Sequence, residues 1–115
     1  SETEAQQALK IIKHYKMNTQ CFVGRPGPSM EFYLVNGQAP SGAMAGEDAI
    51  SFNPATVQAQ YVSGRWKVVD GNHWIMDFDQ SEAEARQALS YILRYDFRFI
   101  CFVGRPGPSM TYFRK

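Results

Sequence analysis

The stretch CFVGRPGPSM occupies Cys21–Met30 and recurs, letter for letter, at Cys101–Met110, an offset of 80 residues. The twenty residues ahead of each copy agree at nine places, among them Ser1/Ser81, Glu4/Glu84, Ala8/Ala88, Leu9/Leu89 and Tyr15/Tyr95. We read this as an internal duplication in which each copy is one supersecondary unit. Residues 1–35 and 81–115 form the duplicated units, a unique meander of residues 50–80 separates them, and the 115 residues make a single domain.

Each unit opens on a capping box, Ser1-x-x-Glu4 and Ser81-x-x-Glu84. In such a box the Ser and Glu side chains are expected to satisfy each other's free backbone N–H groups. Apolar residues then recur at helical spacing: Ala5, Ala8, Leu9, Ile12 and Tyr15, and their counterparts Ala85, Ala88, Leu89, Ile92 and Tyr95. A strand through Cys-Phe-Val follows, then a Gly/Pro loop, then a second strand at Met30–Val35 or Met110–Phe113. Asn36–Ala49, rich in Gly, Ala, Ser and Pro, reads as a long loop. Beyond it, Val57–Val62, Arg65–Val69 and His73–Phe78 alternate around the turns Ser63-Gly64 and Asp70-Gly71. Trp66 and Val68 are expected on one strand face, and Trp74, Met76 and Phe78 on one face of the next. The fold class is α+β: helix-strand-strand units flank a three-stranded meander, and one curved antiparallel sheet carries both helices on one face. The chain begins directly on a helix cap, while the second copy follows a meander. That difference suggests a longer tandem array or a permuted unit.

Composition narrows the function. The formal charge is +1, too balanced for a phosphate backbone to be the main partner, and it offers no polybasic membrane anchor. The longest apolar run, Phe99–Val103, is a strand rather than a bilayer span. Neither a nucleic acid nor a membrane is expected as partner.

The identical loop is the best candidate site. Its prolines fix φ and remove donors, so Arg25 and Arg105 stand on stiff, exposed turns with Ser29 and Ser109 nearby. Rigidly displayed guanidinium and hydroxyl groups suit carboxylates, phosphates or sugar hydroxyls. The alternative is that the segment is a well-packed strand and turn. Trp66, His73 and Trp74 cluster on the meander and could add a stacking platform, or the indoles could belong to the core. Cys21 and Cys101 read as buried thiols or as a disulfide across a pseudo-twofold axis, the latter implying an oxidising compartment. His14, whose counterpart is Arg94, reads as solvated. The sequence has no CxxC with a nearby His, P-loop, GxSxG, HExxH or dinucleotide fingerprint, so no metal or cofactor is implied. Asp70, Asp77, Asp79, Glu47 and Asp48 are the carboxylates a small hydrolase would draw on.

The run WIMDFDQSEAEARQALSYILRYDFRFICFV, residues 74–103, resembles half of a SPOR-type domain, which pairs two strand-helix-strand units. That resemblance implies binding to peptidoglycan glycan strands. It does not extend to the central loop, the extra strands or the RPGPSM turn. The resulting expectation is a non-catalytic, lectin-like module that binds a glycan or cell-wall polysaccharide through two equivalent RPGPSM loops, with a homo-oligomer or tandem array as further possibilities. A secreted or cell-surface setting is favoured. The rival readings are a protein-interaction, inhibitor or assembly domain, and a carboxylate-dependent hydrolase.

Overall fold

The computed structural model describes all residues, Ser1–Lys115. The elements run α1 (Glu2–Tyr15), β1 (Thr19–Val23), β2 (Met30–Leu34), β3 (Asp48–Ser51), β4 (Val57–Val62), β5 (Arg65–Asp70), β6 (His73–Asp77), α2 (Glu82–Tyr95), β7 (Phe99–Val103) and β8 (Met110–Arg114). The fold is mixed α+β. Its strands divide among three antiparallel sheets, β1-β2, β3-β7-β8 and β4-β5-β6, rather than joining in one curved sheet. The reason lies where the two units meet. β2 and β8 are neighbours, but the Thr111 N–H there donates to the Glu31 carboxylate at 2.9 Å, a side-chain bond in place of a ladder bond.

Ser1 and Ser81 cap the two helices, each hydroxyl accepting the N–H of the glutamate three residues on. Each helix ends on a residue in the left-handed region, Lys16 at φ 61° and Asp96 at φ 56°, which stops the helix and turns the chain toward its hairpin. The reciprocal half of the second capping box does not form, because the Ser81 N–H is already bonded to the Phe78 carbonyl at 3.0 Å. The glutamates are used elsewhere.

They are used in an exchange between the copies. Helix α1 packs on the hairpin of the second copy, so that Ile11, Tyr15 and Met17 cluster with Cys101, Val103, Met110 and Tyr112. Helix α2 packs on the hairpin of the first copy, its Ala85, Ala88 and Ile92 joining Val23, Met30 and Phe32. On its other side α2 takes the apolar face of the meander, including Val57 and Val68. Both clusters are held by burial of apolar surface.

Two local expectations change. The long connection after β2 ends in a strand: β3 lies against β7, with Asp48 opposite Phe102 and Ser51 opposite Phe99. In β6, register slips between Val68 and Val69, which face Met76 and Trp74, leaving Ile75 as the extra residue of a bulge. Ile75 and Met76 are both buried, and Trp74 is displaced from the face it would have shared with Met76.

Candidate functional site

The two RPGPSM loops are built alike. Gly24 and Gly104 leave the first strand at φ +80° and +83°, a region open to glycine at little cost. The N–H of Ser29 bonds the Val23 carbonyl and that of Ser109 the Val103 carbonyl, both at 2.9 Å. The Arg25–Pro26 and Arg105–Pro106 bonds are both cis. Each Ser hydroxyl then donates to a glutamate of the opposite copy's helix: Ser29 to Glu84 at 2.6 Å, Ser109 to Glu4 at 2.7 Å. A methyl group on Gly24 or Gly104 would run into that same carboxylate. Glycine and serine in the duplicated loop therefore form a receptor for a helix, and Ser29 and Ser109 are engaged in architecture.

The surroundings of the loops differ. Arg105 stacks over Phe102, 4.4 Å from the ring centroid, and its guanidinium forks onto Asp48, with Nε 2.7 Å from Oδ2. That donor pair holds the Asp48 carboxyl below the usual aspartate value. Arg25 stacks the same way over Phe22, at 4.0 Å, yet makes no ion pair. The Phe-x-x-Arg spacing shared by both copies is the signal that could have found this stacking; Asp48 carries no such signal, because it arrives from β3.

Beside Arg105 lies a groove of about 460 Å³, walled by Pro106 and Pro108 on one side and by His73 and Trp74 on the other, with Ile100 and Phe102 in its floor. Trp74 is 55% exposed, and the Lys67 ammonium sits over its ring at 5.3 Å. The floor continues into a second groove of about 280 Å³ that reaches Pro28 and Ser29 of the first loop. Of the residues singled out in the sequence, Arg105, His73 and Trp74 thus meet at one place. Trp66 does not join them. It lies on the opposite face of the meander, half-buried against the core cluster that holds α2, with Tyr61 edge-on to its ring and Arg86 over it. Arg25 is on the other loop, outside the groove lining.

The carboxylates are each bound to a structural neighbour. Asp70 accepts from the Thr56 hydroxyl at 2.6 Å and the Asn53 N–H at 2.9 Å. Asp77 pairs with Arg65 at 2.7 Å, and Asp79 lies 3.5 Å from the same arginine. Glu47 is the most enclosed, its side chain 4% exposed, and it pairs with Arg114 at 2.8 Å. It also accepts from the hydroxyls of Tyr15 and Tyr112. Burial alone would raise the Glu47 carboxyl; the bonds from Tyr112, Tyr15 and Arg114 outweigh it and leave the group low. Hydrogen bonds from Thr56 and Arg65 likewise lower Asp70 and Asp77. These shifts run opposite to the raised carboxyl that a general acid needs. The counterparts of Tyr15, Tyr112 and Arg114 in the other half are Tyr95, Phe32 and Leu34, so the duplication has diverged into an ionic core on one side and an aromatic one on the other.

Both cysteines are free thiols. Burial pushes the Cys101 thiol up to about 12. His14 is exposed, with Nε2 2.9 Å from the Ala43 carbonyl. No three of the His, Cys, Asp and Glu side chains gather where they could hold a metal ion, and no helix is long and apolar enough to cross a membrane.

Compared with protein-family models, with curated proteins and with solved structures, the chain has no match. The likeness to SPOR-type domains therefore stands on the residue pattern of the strand-helix-strand run alone.

Proposed function

We propose that the protein is a non-catalytic binding module whose ligand is a glycan, held in the groove between the second RPGPSM loop and the meander. The observation that carries this reading is the meeting of Trp74, His73 and Arg105, from segments about thirty residues apart, on one open apolar groove. An indole presents a flat apolar face to the carbon-bound hydrogens of a sugar ring. Arg105 is oriented by Asp48 and still has donors free for hydroxyl or carboxylate oxygens. His73 supplies a further polar group at the rim, and the prolines keep the wall stiff, so little ordering entropy is lost on binding. Arg25 lacks such surroundings, and the reading assigns the ligand to one loop of the two.

The test is a glycan array that includes peptidoglycan fragments, run on the wild type, Trp74→Ala, Arg105→Ala and Arg25→Ala. Selective binding that the first two variants lose and Arg25→Ala keeps is the expected result. Silence across the array, or binding indifferent to Trp74, removes the proposal.

A further inference from the structure

The two halves differ in what covers them. In the second half, β3 lies along the outer edge of β7, and the meander covers α2, leaving Ala85, Ala88 and Ile92 fully buried. In the first half, β1 has β2 on one edge and no strand on the other. The faces of α1 that correspond are open: Ala5 and Leu9 are exposed, Leu9 at 51%, where Ala85 is buried and Leu89 half-buried. Cys21 is half-buried where Cys101 is sealed. Arg25 stacks on Phe22 as Arg105 stacks on Phe102, but the carboxylate that Asp48 supplies to Arg105 has no counterpart.

We propose that the first half is the seat for a further strand-and-meander segment of the same kind as residues 48–77. Its strand pairs antiparallel with the open edge of β1, and its meander lies on the Ala5–Leu9 face of α1. The chemistry of the seat specifies the occupant. An aspartate falls opposite Phe22, within reach of Arg25, as Asp48 falls opposite Phe102. A small residue falls opposite Cys21, in the place of Ala49. Opposite Gln20 the occupant is polar where β3 has Ile50, because Gln20 replaces Ile100 and is hydrogen-bonded to Glu31 and Tyr33. An unpaired edge supplies main-chain hydrogen bonds to an added strand, the exposed leucine supplies apolar area, and Arg25 supplies charge complementarity. The three features lie on β1, on α1 and on the loop between β1 and β2, and each has a filled counterpart in the other half.

The experiment extends the full chain with a second copy of residues 48–80 joined directly ahead of Ser1, so that Gln80 precedes Ser1 as it precedes Ser81. In the added copy Ile50 is replaced by Thr to meet Gln20. Hydrogen exchange is read residue by residue against the unextended chain. The expected result is exchange about tenfold slower or more at the outward amides of β1, fresh protection in the added segment, and loss of both effects when Arg25→Ala is combined with Asp48→Ala in the added copy. A second measurement titrates the unextended chain with a free peptide of residues 48–53 carrying the same threonine. Amide shift changes confined to β1 and Arg25 support the seat. An added segment that stays unprotected while β1 exchanges as before overturns it, as do peptide shifts centred on the Trp74 groove.

Discussion

The carboxylate of Glu84 accepts the hydroxyl proton of Ser29 at 2.6 Å across 55 residues of chain, and Glu4 and Ser109 repeat the bond at 2.7 Å in the opposite sense. Each helix is thereby tied to the loop of the other copy. A hydrogen bond to a charged group contributes about 1.5–3 kcal/mol when partly shielded from water. Glu84→Ala is expected to lower stability within that range. Glu4→Ala is expected to cost less, because its bond is exposed where that of Glu84 is half-buried. Urea denaturation checks both, and a Ser29/Glu84 double-mutant cycle isolates the coupling.

Gly24 combines a positive φ with close approach of the Glu84 carboxylate. Gly24→Ala is expected to cost about 1–3 kcal/mol, from backbone strain and from the collision. In a Glu84→Ala background the collision is gone and the strain remains, so the additional loss on Gly24→Ala shrinks. Equal losses in the two backgrounds would show that the carboxylate does not press on the loop.

Glu47 sets an acid limit. Its carboxyl is held below the ordinary glutamate value of 4.5 in the fold, so the unfolded chain binds the proton first. The stabilisation is complete above that value and is lost as pH falls through the folded one. Glu47→Gln is expected to be destabilised at neutral pH by about 3–5 kcal/mol, since Arg114 is left buried without its partner. It is also expected to lose less on going to pH 3 than the wild type does. The residual slope belongs to Glu4, Asp48, Asp70 and Asp77, whose carboxyls are lowered in the same direction. Thermal unfolding at stepped pH measures both quantities.

The two tryptophans are expected to behave differently. Trp66 is half-buried against the α2 side of the meander, and Trp66→Ala is expected to cost about 2 kcal/mol or more. Trp74 is more than half exposed, and Trp74→Ala is expected to stay within about 1 kcal/mol of the wild type, including the loss of its contact with Lys67. Chemical denaturation of the two variants side by side decides this.

Much of the fold was legible in the residues. The ten-residue identity between Cys21–Met30 and Cys101–Met110 marked the duplication. Ser1 and Ser81 marked both helix starts within one residue, Ser63-Gly64 marked the first turn of the meander, and Asp70-Gly71 marked the second one residue early, since Asp70 ends β5 opposite His73. The candidate site was legible only in its parts. Arg105, His73 and Trp74 stood out, but so did Arg25, Ser29, Ser109 and Trp66, which the structure places elsewhere. Trp74 illustrates the obstacle: strict alternation puts it with Met76, and one bulged residue, Ile75, turns it outward.

By itself the sequence determined what depends on neighbours in the chain: helix caps, apolar periods, turns, and the backbone freedom of Gly24 and Gly104. These rest on hydrogen bonds and sterics within a few residues. Only the tertiary structure decided which hairpin each helix covers. The two hairpins share their Val, Met, Gly and Ser positions but differ at Phe32/Tyr112 and Leu34/Arg114, and no rule of local chemistry says which set a helix will meet. The choice comes from long-range contacts that differ between the halves: Glu47 joins Tyr15 of α1 to Tyr112 and Arg114, Phe32 packs against Tyr91 and Tyr95 of α2, and the meander lies on α2. That choice also brings β3 to β7, gives Arg105 the carboxylate of Asp48, and leaves Arg25 without one.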